Sequence, residues 1–476
     1  MYVVIVNDNI MISRRKFFKT SLVAGASALV GKDAMAKPVV GKEQLGGIGD
    51  EAPPRKGKCV MDLRCRPMAT VRVGVVGLGR GYGAVASMAQ IEGAEVVAVC
   101  DLNSDRIAEA QKALKNAGRK EAAVYSKEED WKRMCERDDI DLIYNATPWE
   151  LHVPIALYAM DHGKHVAIEV PAALTVKDCW ALVDKAEEKQ LHCMMLENCC
   201  YDFFEMATLN MARQNLFGEI IHAEGAYIHD LRKEKFNGYY KHWRLEYSKY
   251  HTGNPYPTHG LGPIAQIMGI NRGDQMAYLS SVSTNQYGLH LWAKNNLTDD
   301  ERITQSERYQ LGDMNTTIIS TVNGKSLMIQ HDTTSPRPYS RIHLVQGTEG
   351  MAVKYPNEKI SLQANGHGFL NEASQRELLK KYEHPMSTYI GEKARKVGGH
   401  GGMDFIMIWR LIYCLQKGFP LDQSVYDCAA WSSLVELTER SVLNKSQSVA
   451  IPDFTRGAWR DYKPLPVIDM DRVLHG

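Results

Sequence analysis

The stretch Val71–Gly83, VRVGVVGLGRGYG, constrains this chain more than any other. A buried, valine-rich strand (71–79) runs into a glycine turn, and a helix follows through Met88. Gly77 and Gly79 are needed there because the backbone must turn tightly and approach a pyrophosphate, whose charge a helix N-terminus stabilises. The third fingerprint position, residue 82, is tyrosine rather than glycine, so the turn is slightly altered, with Gly81 and Gly83 giving compensating room. A second strand (94–101) ends in Asp101. A carboxylate at that point accepts hydrogen bonds from a ribose diol and repels a 2′-phosphate, so NAD is expected rather than NADP.

Strands and helices then alternate. IDLIYNATP and HVAIEVP read as strands, as does LHCMMLEN, with helices in SDRIAEAQKALKNAG, HVPIALYAMDHG and VKDCWALVDKAEEKQ. Ser104 is the expected N-cap of the first of these, and Gly118 lies near its end. This spacing predicts a doubly wound parallel sheet over residues 70–198. Past residue 199 the pattern changes. EIIHAEGAYIHD, NTTIISTVNGKSLMIQHDTT and RIHLVQGTEGMAVKY alternate as antiparallel strands, with a hairpin at Asn323-Gly324, and MDFIMIWRLIYCLQKG is helical with Gly418 as its stop. The fold class is therefore α/β: a Rossmann domain followed by an α+β domain (199–476) with an open, mainly antiparallel sheet, a face that suits a homodimer.

Residues 1–36 read as a leader. SRRKFFK precedes an apolar, small-residue run and an A-x-A site, the pattern of a twin-arginine signal, so a periplasmic or cell-surface location is expected. Met11 is a credible alternative start. Residues 37–69, rich in Gly, Pro and basic residues, read as a linker or extended arm. The ten cysteines include no C-x-x-C pair, so buried free thiols are expected and no metal site. Lys+Arg is 57 against Asp+Glu 56, a net charge of +1, which gives no support to nucleic-acid binding. Past residue 40, no apolar run is long enough for a membrane span.

The string ATPWELHVPIALYAMDHGKHVAIEVPAA resembles the signature of the Gfo/Idh/MocA oxidoreductases, in which a T-P-x-x-x-H turn leads to E-K-P at the end of the next strand. In that family's dehydrogenases the lysine assists proton transfer at the substrate hydroxyl. Here it is Val170, and no nearby lysine is an obvious substitute. E-V-P, NPYPTHGLGP, ENCCY, GHGGMD and the leader together resemble glycoside hydrolase family 109, the NAD-dependent α-N-acetylgalactosaminidases. That resemblance implies that Gly77, Gly79, Arg80, Asp101, Trp149, His152, Glu169, Val170, Asn198 and Tyr256 contact NAD. It also implies that Tyr227, Arg244, Tyr256, Pro257, Thr258, His259 and Tyr339 line the sugar pocket.

An NAD site in a hydrolase implies a route other than the usual carboxylate pair. Oxidation at C3 of a terminal α-N-acetylgalactosamine acidifies the C2 proton. The C1–C2 elimination expels the aglycone, water adds, and re-reduction completes hydrolysis. His259 is the expected base, on a Pro/Gly-rich loop, and Tyr256 its partner. Several residues keep two readings. Arg244 grips the sugar or pairs with Glu246; His400 binds substrate or caps a helix; Tyr201 reaches the cleft or packs; Glu169 binds a ribose or faces solvent. A sugar or cyclitol dehydrogenase is the competing function.

Overall fold

The computed structural model describes residues 52–238, 242–297 and 309–468; the expected leader lies outside them. Six parallel strands form the first sheet: β1 (Val71–Val76), β2 (Ala94–Cys100), β3 (Ala123–Tyr125), β4 (Leu142–Asn145), β5 (His165–Ile168) and β6 (Cys193–Met195). Their order is β3-β2-β1-β4-β5-β6. The chain reverses its direction of growth at β1/β4, which opens a crevice beyond the carboxyl ends of the strands. β1, β4, β5 and β6 are buried on both faces, as in a sheet covered by helices on each side. β3 was not anticipated; it has only three residues, two of them exposed. Asn103, not Ser104, caps the helix Ser104–Asn116, its side chain accepting from the backbone N–H groups of Asp105 and Arg106.

The second sheet holds eight strands: β7 (Ile220–Ile228), β8 (Met276–Ser283), β9 (Asn315–Thr321), β10 (Ser326–Asp332), β11 (Leu344–Gly347), β12 (Gly350–Val353), β13 (Lys359–Leu362) and β14 (Val449–Ala450). Their order is β13-β12-β11-β7-β10-β9-β8-β14. Every pair is antiparallel except β7/β10, which run parallel and place His331 beside Tyr227. β9 and β10 form the hairpin expected at Asn323-Gly324, Gly324 taking φ +79°.

Two late helices, Met403–Lys417 and Val425–Leu443, return to the first sheet. Ser432 and Glu436, on helix Val425–Leu443, accept from the backbone N–H groups of Ala172 and Val176 at 3.1 and 2.6 Å. Residues 52–69 run along this junction with Val60 and Met61 buried, and the Val60 N–H donates to the Tyr426 hydroxyl at 3.0 Å. All ten cysteines are free. Among the described residues, no helix is long and apolar enough to cross a membrane.

Candidate active site

Apart from Tyr256, the residues expected at the cofactor lie just beyond the carboxyl ends of β1, β2, β4, β5 and β6, the rim where an open α/β sheet binds ligands. Gly77 has φ +84°, and a Cβ there would sit 2.5 Å from the Ala146 carbonyl oxygen, so only glycine fits the turn. Gly81, one residue before the tyrosine, takes over the close helix–strand contact, its would-be Cβ meeting Val75 at 3.0 Å. No atom lies within 4 Å of a would-be Cβ on Gly83. Asp101 accepts from the Leu78 N–H at 2.6 Å and the Asn103 N–H at 2.8 Å, which fixes its carboxylate beside the turn. The Arg106 guanidinium comes within 3.1 Å of the Cβ that Gly79 lacks. A tight glycine cradle, the start of a helix and a nearby cation to meet the pyrophosphate, with a strand-end acid to accept from the ribose, are the groups that a dinucleotide needs, and these residues fit NAD.

A charged cluster stands at the other side of the rim. Arg80 lies 3.2 Å from Asp404 and 3.7 Å from Glu169, and its guanidinium also meets His400 Nδ1 at 3.1 Å. Burial alone would depress the Arg80 guanidinium, but Glu169 and Asp404 hold it above its ordinary value. Burial raises the Glu169 carboxyl, with Arg80 opposing. Asp404 goes the other way: burial acts to raise it, yet the His400 hydrogen bond and Arg80 bring it down to about 2. Asn198 donates to the second Asp404 oxygen at 2.5 Å, so this cluster joins the ends of β5 and β6 to helix Met403–Lys417. His400 bonds Asp404 and Arg80 from the turn before that helix.

Two expected cofactor residues do structural work. His152 faces the carbonyls of Pro171 and Thr147 with its two ring nitrogens, each at 2.8 Å, tying the turn after β4 to the turn after β5. Burial pushes its imidazole down to about 4. Trp149 donates its indole N–H to the Val170 carbonyl at 3.1 Å. The Val170 side chain itself is buried.

Across the rim, aromatic rings from both halves of the chain gather around Tyr256. Its ring lies 4.7 Å from Tyr227, 4.9 Å from His259 and 6.1 Å from Trp149, and the Arg244 guanidinium sits 4.8 Å from its face. Arg244 also covers Trp149 and Trp243, while Glu246 pairs with Lys249. Burial holds the Tyr256 phenol well above its ordinary value, so it is protonated. Tyr339 is the outer member, 6.3 Å from Tyr227, its hydroxyl accepting from Arg341 at 3.1 Å. Tyr201 packs in the core and donates to Asp422.

The segment carrying Tyr256 is pinned from behind. Asn254 accepts from the Tyr256 N–H at 3.0 Å, and the Asn254 N–H donates to Thr438 at 2.8 Å. The expected loop ends at Pro257. Thr258 and His259 open a helix, Thr258–Met268, despite its glycines and Pro263. Gly260 lets that helix sit directly on β7: a Cβ there would meet the Ala226 nitrogen at 2.3 Å, and one on Gly225 would meet the Gly260 oxygen at 2.2 Å. Backbone contact between this helix and β7 sets His259 beside Tyr227, with ring centroids 5.4 Å apart.

Two residues of this region escaped the sequence reading. Glu197, just past β6, is fully buried and faces His259 Nδ1 with both oxygens, at 2.8 and 3.0 Å. It reads in sequence as one acid in LEN, and only the fold brings it to a histidine 62 positions later. Cys199 joins them: Glu197, Cys199 and His259 each bring one potential ligand atom within 4.8 Å of the others. The direct carboxylate–imidazole hydrogen bond engages His259 Nδ1. Lys235 is the second residue. It is buried, donates to Ser248 at 3.0 Å, and lines a cavity with Tyr256, Arg244, Trp149 and His331. A lysine therefore does lie near the pocket, although not at the strand-end position held by Val170. Burial lowers its ammonium to about 7, and Arg244 adds to the effect.

Two family models divide the chain between them. One for the oxidoreductase family with an NAD-binding Rossmann fold matches residues 71–197, and one for the C-terminal domain of glycosyl hydrolase 109 matches residues 201–461. The α-N-acetylgalactosaminidase of Bacteroides fragilis is 51% identical over 407 residues, covering 84% of this chain and 96% of that protein. A glycosyl hydrolase family 109 protein of Porphyromonas gingivalis is 48% identical over 432 residues, covering 87% and 91%. Among solved structures, levoglucosan dehydrogenase in complex with NADH and levoglucosan superposes with a TM-score of 0.61 at 19% identity, over 80% of this chain and 100% of that one; this is a likeness of fold. The chain therefore belongs to glycoside hydrolase family 109 and carries an NAD-binding Rossmann domain.

Proposed function

We propose that the protein removes terminal α-N-acetylgalactosamine from glycans, using NAD catalytically. The observation that carries this reading is the placement of Tyr256 and His259, from a segment that belongs to the glycoside hydrolase half, across the rim from an NAD-type turn whose dehydrogenase lysine position is filled by Val170. NAD bound at that rim supplies reversible two-electron oxidation of the C3 carbinol. Gly77, Gly79, Asp101, Asn198 and the Arg80–Glu169 pair are the groups placed to hold it.

The remaining chemistry belongs to side chains. His259 takes the proton from the C3 hydroxyl, releases it to solvent, and as the free base again takes the proton from C2, which is acidic while C3 is at the ketone level. Loss of the C1 oxygen and addition of water across C1–C2 give net hydrolysis. The protonated Tyr256 phenol orients the reacting edge of the sugar and donates a hydrogen bond to it. Tyr227 and Tyr339 flank the ring, Pro257 and Thr258 set the pocket wall, and Arg244, which lies over the faces of Tyr256 and Trp149, presents its guanidinium to sugar hydroxyls. The aromatic enclosure keeps bulk water from the reacting carbons.

A screen of aryl α- and β-glycosides of N-acetylhexosamines tests the activity. Release of the aryl group from the α-N-acetylgalactosaminide without NADH accumulation supports it. NADH accumulation with a free sugar or cyclitol supports the dehydrogenase instead. The Ser13–Lys19 motif supports twin-arginine export of the folded, NAD-loaded chain to the periplasm or cell surface, which signal-sequence fusion to a reporter tests. Exposed Ile221, Tyr278, Val282 and Ile318 on the second sheet support a homodimer through that face, checked by sedimentation.

A further inference from the structure

The Glu197–His259 pair has a geometry that says more than contact. Glu197 is held on several sides. Its side chain is fully buried, one oxygen accepts from the Cys199 N–H at 3.1 Å, and its backbone carbonyl accepts from Gln423 at 2.9 Å. Gly262, one turn after His259, leaves room for it: a Cβ at that position would lie 2.6 Å from Glu197 Cγ and 3.1 Å from Trp431. Burial alone would raise the carboxyl, yet His259 holds it below its ordinary range, so Glu197 is a carboxylate and can only accept. The nitrogen facing it, Nδ1, must then carry the hydrogen.

We propose that Glu197 is the positioning residue for His259, acting on the reaction inferred above: it fixes the Nδ1–H tautomer and leaves Nε2 as the bare nitrogen that accepts the substrate's proton. No bond to substrate is made by Glu197 itself. When Nε2 takes the proton, the imidazole becomes a cation beside a buried carboxylate, with little water to compete. The same carboxylate thus orients the base before proton transfer and stabilises it afterwards. The pair also spans the two halves of the chain, so the base is aligned only when the helix carrying it is seated on the end of β6.

The test compares the wild-type chain, Glu197→Gln and Glu197→Asp, each loaded with NAD, on an aryl α-N-acetylgalactosaminide. Glu197→Gln is expected to lower kcat by about 100-fold or more with KM changed by less than about 3-fold, a loss on the scale of general-base catalysis. Glu197→Asp, which keeps the charge, is expected to recover part of that loss. Nitrogen-15 NMR of histidine-labelled wild-type protein, with His259 assigned by its absence in His259→Asn, should show the hydrogen on Nδ1. This readout needs neither turnover nor a folded Glu197 variant. A Glu197→Gln enzyme within 3-fold of wild type, or a wild-type His259 with its hydrogen on Nε2, overturns the proposal. So does loss of activity on chelation with recovery on adding zinc, because Nδ1 would then be a ligand. If the wild type cleaves no glycoside, the functional reading fails, while the NMR result still decides the tautomer.

Discussion

Replacing Gly77 by alanine is the sharpest single perturbation of the NAD turn. The residue sits at φ +84°, where an L side chain costs about 1–2 kcal/mol. The new Cβ would also fall 2.5 Å from the Ala146 oxygen and 2.9 Å from the Thr147 nitrogen. Both are backbone atoms at the end of β4, so relief means pulling β1 and β4 apart at the switch point. Together these effects should cost about 2–4 kcal/mol. Gly83 is the internal control. It lies within helix Gly81–Met88 in open space, and alanine there should stabilise the apo chain by about 0.5–1 kcal/mol. Urea denaturation followed by tryptophan fluorescence gives the stabilities, and the NAD content of purified protein gives the cofactor consequence. Gly77→Ala should unfold at lower urea and retain little NAD. A Gly77→Ala protein with wild-type stability and full NAD content would refute the reasoning.

Other consequences follow from charges. Asp404 is held at about 2 in the fold against an ordinary value of 3.8, so it contributes stability above about pH 4 that is lost as pH falls towards 2. That contribution is on the order of 2 kcal/mol, and Asp404→Asn should flatten this part of a stability–pH profile measured by urea denaturation. Lys235 has the opposite sign. Its ammonium is disfavoured in the fold, so its penalty is absent above about pH 10.5 and fully present below about 7. Lys235→Met should therefore gain more stability at pH 6 than at pH 10, and thermal melts at the two pH values check this. Glu205 accepts from Arg341 at 2.5 Å and from Lys354 at 2.8 Å in a buried cluster with Asp202. Glu205→Gln should cost about 3–5 kcal/mol by leaving buried cations underpaired, read from the same urea titrations.

Sequence reading went furthest where local rules govern. β1, the glycine turn and Asp101 form one continuous signal of period, turn and strand end, and the rim residues fell on strand ends for the same reason. It failed where distant segments decide. The parallel pairing of β7 with β10 is a register choice between strands about a hundred residues apart, and neither strand's own alternation encodes it. THGLGP has a loop's composition, yet it is helical, and the close approach of the Gly225 and Gly260 backbones seats that helix on β7. Glu197 opens the string ENCCY and Lys235 lies in no motif, and for neither does the local sequence disclose a role. Each acquires its chemistry from burial beside partners that arrive from elsewhere in the chain.

The central claim is that hydrolysis passes through a sugar oxidised at C3, with its C2 proton exchanged by the protein. An aryl α-N-acetylgalactosaminide carrying deuterium at C2 tests it directly, with released sugar analysed by mass spectrometry and absorbance monitored for NADH. The account predicts that the sugar loses its deuterium to solvent during turnover while no NADH accumulates. Released sugar that keeps its C2 deuterium would contradict it.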